Sequence, residues 1–142
     1  MPRIKLDLPE KFPFTTEIPL RITDINYGGH LGNDAVLGIV QEARVQFLRR
    51  HGFTEADVGG AGIIMTDAVI VYKAEAFYGD VLVVEVAIQD LQSVGCDFVF
   101  RLTRKDSGKE LARAKTGIAF FDYSRRRVVE VPAAFRTALD IS

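Results

Sequence analysis

Apolar and polar positions alternate with period two along most of the second half of the chain and take helical spacing in one stretch of the first half. Leu82, Val84, Val86 and Ile88 alternate with Val83, Glu85, Ala87 and Gln89, and Val94, Cys96, Phe98, Phe100 and Leu102 share one face of the next run. A period of two sets each group on one side of a pleated strand. Four long segments, Ile63 to Tyr78, Val81 to Leu91, Val94 to Lys105 and Glu110 to Tyr123, are separated by turns at Gly79-Asp80, Gln92-Ser93 and Asp106-Ser107-Gly108. Connections this short predict antiparallel neighbours. A further strand, Phe14 to Ile22, precedes them, with Pro19 marking an edge or a bulge.

Residues 23–32 form a loop dense in Asp, Asn and Gly. The helical pattern then runs from Asn33 to about His51, where Gly52 occupies the position that favours glycine. Asn33 or Asp34 can cap the first turn. Ala35 to Val40 is apolar on every face, which predicts a helix start surrounded by protein; Ala43, Phe47 and Leu48 continue as a stripe. A Thr-capped turn at Thr54 to Asp57 and a Gly59-Gly60-Ala61-Gly62 loop follow, and Ala133 to Leu139 predicts a final helical turn. Ala112, Ala114 and Thr116, with Ile118 and Phe120, give the last long strand a face on which the helix can lie close. The expected fold class is α+β: a single unit, residues 1–142, in which one long helix is wrapped by a curved five-stranded antiparallel sheet. An uncovered sheet edge invites pairing with a second copy, so a dimer is expected.

Composition narrows the partners. Of 142 residues 48% are hydrophobic, and 18 basic against 19 acidic side chains leave a net charge of -1. That balance lacks the basic footprint of a nucleic-acid binder. No apolar run approaches the ~20 residues of a membrane span, so no membrane insertion is expected. The opening Met1-Pro2-Arg3-Ile4-Lys5-Leu6-Asp7 lacks the apolar region of a secretory signal. One cysteine, Cys96, suits a reducing, cytoplasmic compartment, and its place among Val94, Phe98 and Phe100 reads as a packed core thiol. His30, His51 and Cys96 make no zinc-site spacing, so no metal is expected. The serines lie in no G-x-S-x-G elbow, and no phosphate-binding glycine motif occurs.

Reactive polar groups concentrate in Thr23-Asp24-Ile25-Asn26-Tyr27-Gly28-Gly29-His30-Leu31-Gly32-Asn33-Asp34. This loop feeds into a helix N-terminus, whose unpaired N–H groups and partial positive charge would polarise a carbonyl or hold an oxyanion. A carboxylate or imidazole beside it could serve as nucleophile or as general base towards water. The same residue types also build turns and caps for purely local reasons.

The string TDINYGGHLGNDAVLGIVQEARVQFLRRHG resembles the signature of the hot-dog-fold thioesterases of the 4-hydroxybenzoyl-CoA type, roughly D-x-D/N-x-x-G-H-x-N-N-x-x-Y followed by E-A-R and a closing Gly. VYKAEAFYGDVLVVEV looks like the strand-turn-strand of the same family, and the likeness spans about Phe14 to Pro132. The resemblance implies hydrolysis of an acyl-CoA or acyl-carrier-protein thioester without a cofactor, in a homodimer or a tetramer with sites at the subunit interface. In one bacterial branch the catalytic aspartate is the second acid of D-x-D, where this chain has Asn26. The D-x-N…H form instead resembles the plant acyl-carrier-protein thioesterases, with two more residues here before His30. Carried over on that basis, His30 is the general base, Asp24 orients His30 or Asn26, and Asn26 positions water or the thioester carbonyl. Asp34 stands where the family usually has Asn and supplies a replacement carboxylate. Leu37 replaces a frequent Tyr and removes a hydroxyl.

Gly32 and Asn33 fall at the substrate-facing helix start, and Tyr27, Ile63, Met65, Phe77 and Tyr78 are candidate walls for the acyl group. Arg125 and Arg126 are candidates for the phosphates of coenzyme A, since guanidinium forks bind phosphate oxygens in pairs; the alternative is a solvated turn. Glu42 belongs to the E-A-R string. A helix carboxylate is catalytic elsewhere in the superfamily, but an ion pair with Arg44 or Arg49, or a hydrogen bond to the loop, is its expected task here. Two other functional classes remain open: a non-catalytic acyl-CoA or acyl-lipid binding module, and a hydratase or dehydratase that leaves the thioester intact.

Overall fold

The computed structural model describes residues 3–141; Met1, Pro2 and Ser142, which the expected single unit and opening stretch include, lie outside the described residues. In chain order the elements are β1 (Phe14–Pro19), α1 (Ala35–Arg50), β2 (Gly62–Tyr72), β3 (Val81–Gln89), β4 (Gly95–Arg104), β5 (Glu110–Asp122), β6 (Arg127–Val128) and α2 (Ala133–Ile141). The strands form one antiparallel sheet in the order β1-β3-β4-β5-β2, with β6 beside β5. The α+β class stands, with six strands where five are expected and a nine-residue second helix where a single turn is expected.

Two boundaries differ for identifiable reasons. β2 ends at Tyr72 and not Tyr78, because the N–H groups of Lys73 and Ala74 both turn onto the Leu111 carbonyl, at 2.8 and 3.2 Å. That turn withdraws residues 73–77 from the ladder and leaves them to receive the polar loop. β1 ends at Pro19, and Ile22–Asp24 forms a short 3-10 turn whose N-terminus is closed by Asp24.

α1 lies in the concavity of the sheet. Val36, Ile39, Val40, Ala43, Phe47 and Leu48 are buried at the three- and four-residue spacing of one helical face. Phe47 meets Phe14 and Phe98 edge-on, at 5.8 and 5.6 Å between ring centres; a fully buried aromatic of this kind is worth about 3–5 kcal/mol against alanine. Ala112, Ala114 and Thr116 are buried on the facing side of β5, as the close approach of the helix requires. The helix start departs from expectation: Leu37 is 36% exposed and Gly38 lies open, so one side of the apolar stretch faces away from the chain's own core. At the far end α2 sets Phe135 against Phe120, 5.2 Å between centres.

Cys96 is buried, and desolvation, reinforced by the nearby Asp97 carboxylate, pushes its thiol up to about 12. It is the packed core thiol its alternation predicts. Among the described residues the outer edge of β2 has no strand partner, and residues 65–68 along it are exposed.

Candidate functional site

The polar loop folds into a small hairpin. Ile25 bridges Leu31, the Asn26 N–H donates to the His30 carbonyl at 3.0 Å, and the Gly29 N–H returns to the Asn26 carbonyl at 3.0 Å. Gly29 has φ +81°, a left-handed conformation that glycine adopts without strain. The Asn26 side-chain oxygen accepts from the Gly28 N–H at 2.9 Å, the local turn that Asn builds. The hairpin docks on the stretch released from β2: the Leu31 N–H donates to the Ala76 carbonyl at 2.7 Å, and His30 bridges Phe77.

His30 is thereby held from both sides. Its Nδ1 lies 3.2 Å from the Leu31 carbonyl, an acceptor, so in the neutral ring Nδ1 carries the proton and Nε2 keeps its lone pair. Nε2 lies 3.8 Å from Oε1 of Glu75. The two groups stand at a cleft of ≈ 270 Å³ with Asn33, Val36, Tyr72 and Lys73. Leu102, Leu111 and Ala112 make its apolar side, and Tyr72 donates its hydroxyl to the Asn33 carbonyl at 2.9 Å. Val36 sits in the first turn of α1, where helix N–H groups have no intrahelical partners. A base, a carboxylate and an electropositive helix start therefore converge on one small cavity.

The other sequence candidates take varied places. Asp24 is buried, but its carboxylate accepts the Arg21 N–H at 2.8 Å and faces the Arg21 guanidinium at 3.4 Å. The Leu31 carbonyl, and not Asp24, orients His30. Asp34 occupies the position before α1 without making a capping hydrogen bond, and its carboxylate folds over Gly32, where a Cβ would lie 2.6 Å from Oδ1. Gly32 is needed for that close approach. Asn33 contributes its main chain to the cleft. Tyr27 is fully exposed at the hairpin tip. Glu42 accepts from Gln46 at 2.7 Å in a separate groove with Arg21 and Asp24, so neither the expected arginine nor the loop is its partner. Arg44 pairs with Glu55 at 2.9 Å instead.

Glu75 is the residue that sequence reasoning missed. A lone carboxylate between Ala74 and Ala76, inside the second family-like segment, was the available signal.

The expected acyl walls divide. Phe77 and Tyr78 lie beside the loop, whereas Ile63 and Met65 line a second cavity of ≈ 530 Å³ with Gln41, Arg44, Glu55 and Tyr123. This cavity sits at the opposite end of β2. Arg125 and Arg126 are at that end too, in the β5–β6 turn where Asp122 Oδ1 accepts the N–H groups of Ser124 and Arg125 at 2.9 and 3.1 Å. Tyr72 pairs with Ala112 and Gly62 with Phe121, so at ~3.4 Å per residue the two ends are about 30 Å apart. Within one chain, the arginines do not meet His30.

Among the described residues no group of three or more His, Cys, Asp or Glu side chains could hold a metal ion, and no helix is long and apolar enough to cross a membrane.

Comparison with known proteins gives the fold its family. A 1,4-dihydroxy-2-naphthoyl-CoA thioesterase from Synechocystis is 23% identical, with 89% of this chain and 95% of that one covered at a TM-score of 0.82. A DHNA-CoA thioesterase from Staphylococcus aureus is 17% identical, covering 89% of this chain and 88% of that one at 0.80. A hypothetical protein from the same organism, solved in complex with CoA, is 19% identical over 96% and 87% at 0.81. No curated protein matches the chain by sequence. The family model of the thioesterase-like superfamily matches residues 20–139, and the chain belongs to that superfamily, with its hot-dog fold.

Proposed function

We propose that the chain hydrolyses an acyl-CoA thioester, with His30 as general base. The observation that carries this reading is the cleft in which Nε2 of His30 faces Glu75 at 3.8 Å beside the start of α1. Water held between Nε2 and Glu75 transfers a proton to Nε2 as its oxygen attacks the thioester carbon. The carbonyl oxygen becomes an oxyanion against the N–H groups at the start of α1. When the tetrahedral intermediate collapses, the C–S bond breaks and the sulfur takes the proton back from His30. Free acid and thiol result, and the steps need no cofactor. Asn26, whose side-chain oxygen is committed to its turn, has its amide N–H₂ left to direct the carbonyl or the water. Asp34 adds a negative charge at the position before α1.

The site is completed by a second copy. Antiparallel pairing of two β2 edges about a two-fold through the strand midpoint, Asp67, sets Gly62 of one copy against Tyr72 of the other. The His30 cleft of one subunit then adjoins the Ile63–Met65 cavity of its partner, which takes the acyl group. Arg125 and Arg126 come to the same mouth and meet the CoA phosphates. The Staphylococcus aureus neighbour in complex with CoA supports this ligand class. A soluble, cytoplasmic acyl-CoA is the matching substrate; a carrier-protein thioester is the alternative.

A panel of short, long and aromatic acyl-CoAs, followed by thiol release, tests the reading. Release from at least one member is expected. Saturable binding without release across the panel would overturn hydrolysis in favour of the binding module, for which Asn26 in place of an aspartate speaks. A changed acyl group with the thioester intact would mark a hydratase.

A further inference from the structure

Residues 73–77 carry Glu75 and receive the hairpin that holds His30, yet they lie outside the ladder that fixes the rest of the sheet. Arg104, the last residue of β4, reaches this stretch from a rigid base. Its backbone pairs with Leu82, its N–H donates to the Lys109 carbonyl at 2.9 Å, and its carbonyl accepts the Gly108 N–H at 2.8 Å. From there Nη2 donates to the Glu75 carbonyl at 2.9 Å, and the guanidinium lies over the Phe77 ring, 5.8 Å from its centre. Nε lies 3.2 Å from Asp80 Oδ2, a charge contact without an aligned hydrogen bond.

Asp80 extends the hold. The same Oδ2 accepts the Phe77 N–H at 2.8 Å, and the Asp80 N–H returns to the Phe77 carbonyl at 3.0 Å. Leu20, just past β1, donates its N–H to the Asp80 carbonyl at 3.0 Å and ties the turn to the sheet. The Asp80 and Arg104 side chains are only 18% and 21% exposed, so a carboxylate left there alone would lose much of its hydration without a counter-charge. Asp106, 3.9 Å from Arg104 and 74% exposed, stays solvated and asks for no partner.

The path from this clamp to the base is short. Ala76, between two residues that Arg104 contacts, gives its carbonyl to the Leu31 N–H, and Phe77 bridges His30. The Leu31 carbonyl in turn faces Nδ1 of His30 at 3.2 Å. We propose that Arg104 is a positioning residue of the His30 cleft: with Asp80 it fixes residues 75–77, and through them the tautomer of His30 and the place of Glu75. This deepens the reading of His30 as general base and rests on it. A lysine ammonium is a point charge, and it can answer the Asp80 carboxylate without spanning carbonyl and ring as a planar guanidinium does.

The test compares wild type, Arg104→Met, Arg104→Lys and Asp106→Ala by steady-state thiol release from acyl-CoA and by the ring ¹⁵N shifts of histidine at alkaline pH, where imidazole is neutral. His51, at the other end of α1, is the second of two histidines and serves as internal reference. Arg104→Met is expected to lower kcat about tenfold, the loss of one hydrogen bond from a charged group, with KM little changed. His30 should pass from the Nδ1–H form to a mixture with the Nε2–H form, while His51 keeps its shifts. Arg104→Lys should recover part of both, and Asp106→Ala should match wild type. Wild-type kcat and tautomer in Arg104→Met would overturn the inference, as would a fall in kcat with the Nδ1–H form kept, or an equal fall in Asp106→Ala. If Arg104→Met does not fold, Asp80→Asn, which keeps an acceptor for the Phe77 N–H and loses the charge, carries the same expectation and the same refutation. The tautomer is read without substrate, so a changed tautomer with kcat intact would defeat His30 as the base and leave the clamp standing.

Discussion

The two ends of β2 are built for different tasks. At the Tyr72 end the strand leaves its ladder, a polar hairpin docks on the released stretch, and a base with a carboxylate faces a cleft of ≈ 270 Å³. At the Gly62 end the strand stays paired, and the cavity of ≈ 530 Å³ beside it has Ile63, Met65 and Ile118 as walls, with Arg44 tied to Glu55. One end carries reactive groups with little room for an acyl chain; the other carries room and guanidinium groups but no base. The difference teaches that His30 and the Arg125–Arg126 pair lie about 30 Å apart in one chain, and that the proposed antiparallel pairing of the exposed edge would bring the two ends together.

The contrast can be broken at either end, and the largest effect belongs to the base. His30→Ala should lower kcat by about a hundredfold or more, the range of a lost general base, with KM little changed in steady-state thiol release. Met65→Lys with Ala68→Lys places charge on the pairing edge; the mass should halve, and activity should fall about a hundredfold with it, since each half-site is then alone. Arg125→Ala with Arg126→Ala removes two charged donors at about 1.5 kcal/mol each, so kcat/KM for acyl-CoA should drop roughly a hundredfold, while the corresponding acyl-pantetheine, which lacks the nucleotide phosphates, is unaffected. Glu75→Gln removes a half-exposed partner worth up to about 1 kcal/mol, or roughly fivefold in kcat, and Glu75→Asp should recover part of it.

The smallest expected effect lies away from both ends. Burial, opposed in part by Lys115 and reinforced by Asp90, raises the Asp97 carboxyl above its usual 3.8. The folded state therefore holds the proton more tightly than the unfolded chain. Its contribution is present below the ordinary carboxylate range and is lost as pH rises through the raised value. Asp97→Asn should accordingly unfold at a higher temperature than wild type at neutral pH, with the gap closing as the pH falls below 3.8. A gap that widens on acidification would contradict this assignment.

Much of the fold was legible because alternation is a direct image of two-sided burial. Leu82 to Ile88 and Cys96 to Leu102 show their inner faces residue by residue, and the small face of β5 announces the helix above it. The end of β2 was not legible, since Lys73 and Glu75 alternate with Ala74 and Ala76 as in a continuing strand while two N–H groups turn onto one carbonyl. Nor was the open side of α1: composition tells that Leu37 is apolar, not that the chain's own sheet fails to reach it. In the site, the loop was visible as a density of Asp, Asn, Gly and His, but partnership was not. Asp24 takes Arg21 three residues before it, His30 takes the carbonyl next to it, and Glu75 arrives from a segment forty-five positions away. The separation of Arg125 from His30 depends on strand register, which no local pattern encodes.

The most direct test mixes two crippled proteins. His30→Ala loses the base and Arg125→Ala/Arg126→Ala loses the phosphate-binding end, each leaving about 1% of kcat/KM by the losses expected above. Random exchange of subunits makes half the dimers mixed, and each mixed dimer has one intact composite site of two. Thiol release from acyl-CoA at low substrate should then recover to about a quarter of the wild-type rate. Recovery of that size would establish a thioesterase site shared between copies. A mixture no more active than the mean of its two parents would contradict the shared site, and a His30→Ala parent as active as wild type would contradict the chemistry.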